Sequence, residues 1–269
     1  MPTLRAILFD LDDTLLVDEA VSYEVLEAVA EQAKKKFGID PRLFVSDLAS
    51  IAKELWVRGE CYSFCHAIGI SAFECLWGNF LGDAQELMKL RRWSQQYREE
   101  VFQKTLQAQK KIFPEARAAA QGFAQEFSKL RRQRQRLFPE AREVLEKLAS
   151  RFKLGLITNG APDLQREKIA ATKCEHFFSA MVISGELGIG KPNPLIFEEG
   201  LHQLNMKREE AIMVGNSLER DIAGARATGI HSVWIRLPGE KNVETVVPDK
   251  TIADLRELLD IFSSSLSFL

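Results

Sequence analysis

The chain has 269 residues, 46% of them hydrophobic and 28% charged, with a formal net charge of -2. That composition excludes disordered and fibrous classes and supplies apolar surface for one large core or two ordinary ones. The balance of 36 basic against 38 acidic side chains gives no global field for nucleic acid or an anionic membrane. An anionic substrate must therefore be held by local groups.

Arg5-Ala6-Ile7-Leu8-Phe9 reads as a buried parallel strand running into Asp10-Leu11-Asp12-Asp13-Thr14-Leu15. The apolar run between Arg5 and Asp10 is too short for a secretory signal, and no stretch is long enough to span a bilayer, so a cytoplasmic chain is expected. Val25, Leu26, Val29, Ala30 and Ala33 recur at helical spacing over 22–37, and Gly38 stops the pattern. From there to Leu137 the chain reads as helix, with breaks at Asp40-Pro41, Gly59, Gly69, Gly78 to Gly82 and Phe113-Pro114. After Pro139 a helix over 140–150 leads into a strand over 153–157, with further strands over 180–183, 211–214 and 232–235. Strands separated by roughly 20 to 30 residues of helix and loop predict βαβ units and a parallel sheet. The expected fold is thus α/β, with a discontinuous core over 1–15 and 139–269 and an all-helical insertion over 16–138. Such an insertion is placed to act as a lid.

Several features outside the strand ends have bland readings. The four cysteines, Cys61, Cys65, Cys75 and Cys174, are too few and too unevenly spaced for a disulfide scaffold, so reduced thiols are expected. Cys61, Cys65 and His66 lie close together in sequence and admit a soft-metal site, against the commoner role of cysteine as a small buried hydrophobe. Phe113-Pro114-Glu115-Ala116-Arg117 returns as Phe138-Pro139-Glu140-Ala141-Arg142, which marks two helix starts rather than a repeat architecture. The basic run of Lys129, Arg131, Arg132, Arg134 and Arg136 reads as a solvated helix face rather than a nucleic-acid contact. Trp56, Phe64, His66, Phe73, Trp77 and Phe80 either line an entrance or, more in keeping with aromatic packing, fill the core of the insertion.

The chemistry is expected at the strand ends. Asp10 and Asp12 are one residue apart, so on an extended chain their carboxylates point the same way and a divalent cation could bridge them. The competing reading is an acidic cluster capping a helix. A second strand ends in Ile157-Thr158-Asn159-Gly160, offering a hydroxyl and backbone N–H groups to phosphate oxygens. A third leads into Ser184-Gly185-Glu186-Leu187-Gly188-Ile189-Gly190-Lys191-Pro192-Asn193-Pro194, a stiffened loop that fixes one lysine before a helix starting near Leu195. A phosphate or a carboxylate nucleophile is that lysine's natural partner. The last, Val214-Gly215-Asn216-Ser217-Leu218-Glu219-Arg220-Asp221, adds oxygen ligands at Asn216 and Asp221, which with Asp10 and Asp12 would make a Mg²⁺ site.

These four segments, DLDDT, ITNG, GKPNP and GNSLERD, resemble in order and placement the motifs of the haloacid dehalogenase superfamily, specifically its phosphatase branch with a helical cap inserted after the first motif. The resemblance implies a Rossmann-like core. It implies Asp10 as the nucleophile that forms an aspartyl-phosphate, and Asp12 as acid for the leaving alcohol and then base for the attacking water. Thr158 and Asn159 would bind the phosphoryl group and Lys191 would offset its charge. Mg²⁺ would be held by the Asp10 carboxylate, the Asp12 backbone carbonyl, Asn216 and Asp221. Dehalogenating relatives need no metal and lack an acid two residues after the nucleophile, so Asp12 favours phosphoryl transfer. Most relatives carry Asp where this chain has Asn216, which predicts weaker Mg²⁺ binding. The implied function is a Mg²⁺-dependent phosphatase for a small phosphorylated metabolite. A phosphomutase or metal-independent dehalogenase of the same superfamily, or a non-catalytic binding protein on the scaffold, are the alternatives.

Overall fold

A computed structural model describes residues 4–109, 116–239 and 246–263. Six strands, β1 (Ala6–Phe9), β2 (Lys153–Thr158), β3 (Ala180–Ile183), β4 (Ala211–Gly215), β5 (His231–Ile235) and β6 (Lys250–Ile252), form one sheet in the order β3-β2-β1-β4-β5-β6. Every neighbouring pair is parallel. β1 is flanked by β2 and β4, with Ala6 in register with both Lys153 and Ala211. All four of its residues are buried, as expected of a strand covered on both faces. Strand order reverses between β1 and β4, and in such sheets the crevice beyond the carboxyl ends at that reversal is where ligands bind.

The chain divides into two compact units. One comprises the segment up to Val17, Arg136–Ala161 and the chain from Gln165 onward; the other is Asp18–Gln135 with Pro162–Leu164. The second unit is all-helical: α1 (Glu19–Phe37), α2 (Pro41–Arg58), α3 (Tyr62–Ile68), α4 (Ala72–Cys75), α5 (Gln85–Ala108) and α6 (Ala116–Gln133). Its punctuation follows the sequence. Gly38 adopts a left-handed conformation (φ 65°) and its N–H closes α1 on the Lys34 carbonyl. Asp40 then caps α2 by accepting from the Arg42 N–H at 2.8 Å, with Pro41 in the first turn. The break at Phe113-Pro114 lies outside the described residues.

Phe44, Phe102 and Phe127 are fully buried in this helical unit, with Phe44 and Phe102 ring centroids 6.4 Å apart. Trp77 and Phe80 are also core residues, whereas Trp56, Phe64 and Phe73 are half-buried and His66 is exposed. Cys61, Cys65 and Cys75 are buried, and burial pushes the Cys61 thiol up to about 11, the behaviour of packed, unreactive thiols. No group of three His, Cys, Asp or Glu among the described residues is placed to hold a metal. The basic run departs from a solvated face at Arg131, which is fully buried. Arg131 pairs with Asp18, donates to the Ser22 hydroxyl at 3.0 Å and lies 4.8 Å over the Trp77 ring. Arg132 donates to the Trp77 carbonyl at 2.6 Å, so this end of α6 is tied inward by its cations.

The remaining helices are α7 (Ala141–Ala149), α8 (Pro162–Thr172), α9 (Ser184–Leu187), α10 (Pro194–Leu204), α11 (Ala223–Thr228) and α12 (Glu257–Ser263). Alternation along the strands divides the sheet's core in two. Ile7, Phe9, Leu156, Ile212, Val214 and Val233 pack with Val144, Leu145 and Leu148 of α7 and Leu258 and Phe262 of α12. Ala6, Leu8 and Met213 pack with Ile196, Phe197, Leu201 and Leu204 of α10 and Ala225 of α11. Burying about half a dozen such side chains per face, at about 1.5–3 kcal/mol each, holds the strand ends in fixed register. Among the described residues no helix is long and apolar enough to cross a membrane.

Candidate active site at the strand ends

β1 delivers Asp10 at its carboxyl end, where the Asp10 N–H still donates across the sheet to the Val214 carbonyl at 3.0 Å. The chain then closes a tight turn. The N–H groups of Leu15 and Leu16 both converge on the Leu11 carbonyl at 2.9 Å, and Asp13 takes a left-handed conformation at φ 57°. No helix starts within the acidic triplet, so its carboxylates are not a helix cap; α1 begins at Glu19.

Asp10 is 6% exposed and its two oxygens are separately held. Oδ1 accepts from Lys191 Nζ at 2.5 Å and Oδ2 from the Thr14 hydroxyl at 3.1 Å. Thr14 in turn accepts from the Asn216 N–H at 3.0 Å, so the ends of β1 and β4 are stitched together through one side chain. Asp221, 1% exposed, stands 2.7 Å from the same ammonium through Oδ1, and its Oδ2 accepts from the Ser217 N–H at 2.9 Å. Its position depends on Gly215, where a Cβ would lie 2.3 Å from Asp221 Oδ2.

Two carboxylates around one ammonium leave an excess negative charge in a buried site. Burial pushes the Asp221 carboxyl up to about 6, with the Asp10 charge adding to the rise and Lys191 opposing it. For Lys191 burial acts to lower the pKa, but the pull of Asp10 and Asp221 outweighs it and raises the ammonium's pKa. Lys191 is thus held charged.

Asn159 commits both ends of its amide to Lys191: Oδ1 accepts from the Lys191 N–H at 2.8 Å and Nδ2 donates to the Lys191 carbonyl at 3.0 Å. The Asn159 side chain thus fixes the lysine's backbone. Gly190 permits this approach, since a Cβ there would lie 2.7 Å from Asn159 Oδ1.

Asp12 belongs to a second set. Lys168 Nζ is shared between its two oxygens at 2.9 Å each, and Gln165 Nε2 donates to Oδ2 at 2.8 Å. The same amide donates to the Thr158 hydroxyl oxygen at 2.6 Å. Thr158 is fully buried, as are Gln165 and Lys168. Thr14, Gln165 and Lys168 have no assigned role in the sequence reading. A signal for the last two exists: Leu164, Gln165, Lys168, Ile169 and Thr172 share the core-facing stripe of α8, and an amide and an ammonium there require buried polar partners.

Carboxylates held by buried lysines at the switch point of a Rossmann-like sheet are what a hydrolase with an aspartate nucleophile requires. The chain belongs to the haloacid dehalogenase-like hydrolase family, whose model matches residues 4–229. It is 37% identical over 255 residues to a phosphoserine phosphatase from Thermus thermophilus, covering 95% of this chain and 98% of that protein. Among solved structures it is similar to an HAD phosphatase from Thermococcus onnurineus (TM-score 0.61, 25% identity, 97% of this chain and 99% of that one). It is also similar to a 2-haloacid dehalogenase from Pseudomonas syringae pv. Tomato DC3000 (TM-score 0.58, 27% identity, 97% and 98%).

Proposed function

We propose that this chain is a cytoplasmic, Mg²⁺-dependent phosphatase that hydrolyses a small phosphorylated metabolite through an aspartyl-phosphate on Asp10. The observation that carries the reading is the pairing of buried Asp10 with Lys191, two residues before a second carboxylate at Asp12. A dehalogenase would have no use for an acid at Asp12; phosphoryl transfer to Asp10 followed by hydrolysis uses it twice.

In the first half-reaction an Asp10 oxygen attacks phosphorus, the bond to the leaving oxygen breaks, and Asp12 gives that oxygen its proton. In the second, Asp12 takes a proton from water as the water attacks the same phosphorus, and Asp10 is released with phosphate. The Thr158 hydroxyl and the backbone N–H groups beside it bind the phosphoryl oxygens, and Lys191 offsets their charge. Asp10, the Asp12 carbonyl, Asn216 and Asp221 would hold Mg²⁺. The donor set suits it: all are hard oxygens, the site carries excess negative charge, and Asp221 Oδ1 is buried without an aligned hydrogen bond. When bound, the metal neutralises charge on the transferring group.

In this reading the chemistry belongs to the core over 1–15 and 139–269, and substrate choice to the helical cap over 16–138. The match to a phosphoserine phosphatase along nearly the whole of both chains makes phosphoserine the first compound to try. Purified protein with Mg²⁺ should release phosphate from at least one member of a panel of phosphorylated metabolites, and removal of Mg²⁺ by chelation should stop it. Silence across the panel, with no beryllium fluoride bound at Asp10, would instead support a non-catalytic binding protein. Transfer of the phosphoryl group to a second hydroxyl of a sugar phosphate, without free phosphate, would support a mutase.

A further inference from the structure

The clamp on Asp12 has no part in the family motifs that identify the site. Lys168 and Gln165 are both fully buried and stand one turn apart on α8. Burying an ammonium costs several kcal/mol unless it is well paired, and this one is divided evenly between the two Asp12 oxygens at 2.9 Å. Gln165 uses its amide nitrogen twice, on Asp12 at 2.8 Å and on Thr158 at 2.6 Å. Reversing the amide would turn its oxygen against the carboxylate, so the orientation is fixed. Every contact these two residues make to Asp12 is a donor's. The clamp therefore sets the direction of the carboxylate but offers nowhere for an Asp12 proton to go; that proton has to leave on the side away from α8.

We propose that Lys168 and Gln165 are positioning residues, which fix Asp12 in the orientation from which it exchanges its proton with the leaving-group oxygen, in register with the phosphoryl group held by Thr158. The inference rests on the reading of Asp12 as the acid and base. It gives α8 a function beyond covering the sheet: one helix aligns the proton donor and the phosphate-binding hydroxyl through a single amide.

The test is the dependence of kcat/KM on the leaving group, because this parameter reports formation of the Asp10 intermediate. A nitrophenolate departs without help, whereas an alkoxide needs a proton. Lys168→Met should lower kcat/KM for an alkyl phosphate by about 10²-fold or more and for p-nitrophenyl phosphate by less than about threefold, the scale of general-acid assistance. Gln165→Met, which keeps the side chain's length, should show the same selectivity at smaller amplitude on top of a loss common to both substrates, because it also frees the Thr158 hydroxyl, and it serves if Lys168→Met does not fold. An equal loss across leaving groups in both variants, with Asp12→Asn selectively slow on alkyl phosphates, would overturn the positioning role alone. If Asp12→Asn also shows no leaving-group selectivity, the acid role of Asp12 itself is what fails.

Discussion

Lys191 Nζ lies 2.5 Å from Asp10 Oδ1, with the lysine 5% and the aspartate 6% exposed. The same ammonium meets Asp221, so Lys191 is the counter-charge for two buried carboxylates. Removing one partner of a buried pair leaves uncompensated charge and costs about 3–5 kcal/mol. Lys191→Met should therefore lower the thermal midpoint measurably in metal-free buffer. Its phosphatase rate should fall by about 10²–10³-fold, the cost of losing one preorganised group that stabilises the transition state. Thermal unfolding and hydrolysis of p-nitrophenyl phosphate on one preparation check both.

Asp221 gives a pH signature with a definite sign. Its carboxyl is raised from the ordinary 3.8 to about 6, first by burial and then by the Asp10 charge, so folding favours its protonated form. The contribution of this group to stability is fully present below its unfolded value and is lost as pH rises through about 6, on the order of 2–3 kcal/mol. Asp221→Asn is neutral throughout. Without metal, the variant's midpoint should gain on wild type between about pH 4 and pH 7; parallel curves would contradict the assignment.

Gly215 is required by proximity rather than by backbone conformation. A Cβ there falls 2.3 Å from Asp221 Oδ2, so Gly215→Ala must displace the carboxylate or the end of β4. The expected cost is about 1–3 kcal/mol, as for other overpacked sites, accompanied by a raised Mg²⁺ requirement. Chemical denaturation and a Mg²⁺ titration of activity measure the two separately.

Asn216 supplies an amide where a carboxylate would add charge. Its N–H is held by Thr14 Oγ1 at 3.0 Å, so the backbone position does not depend on the side chain's identity. Asn216→Asp should lower the Mg²⁺ concentration for half-maximal activity on the order of tenfold, because one more charged oxygen joins the set. An unchanged midpoint would remove Asn216 from the metal site.

Much of this site is legible in the sequence because parallel strands announce themselves as short apolar runs, and the residues after them must lie at one edge. Strand β3 and the segment around Asp10 read directly, and β1, β2, β4 and β5 differ from the expected bounds by a residue at one end. β6 is unread because Lys250 and Thr251 are exposed and only Ile252 is buried, leaving an edge strand with no apolar run. α1 starts at Glu19 rather than Ser22; Val21, buried one turn before Val25, extends the apolar spacing beyond the expected start. Residues 184–187 form a helical turn where a glycine-bearing loop is expected, since the one-turn α9 carries too few positions to show a period. The stripe of α8 shows that Gln165 and Lys168 need buried polar partners, but which partners they and Asn159 take is illegible, because side-chain pairing across 153, 156 and 32 residues leaves no local pattern.

The central claim is that Asp10 is the nucleophile. The most direct measurement is acid quenching of the enzyme during turnover with Mg²⁺, followed by mass spectrometry of the peptide that carries Asp10. The account predicts one base-labile phosphoryl group on that peptide in the wild type, none in Asp10→Asn, and loss of hydrolysis in the variant. An Asp10→Asn protein that hydrolyses p-nitrophenyl phosphate at the wild-type rate in Mg²⁺ would contradict it.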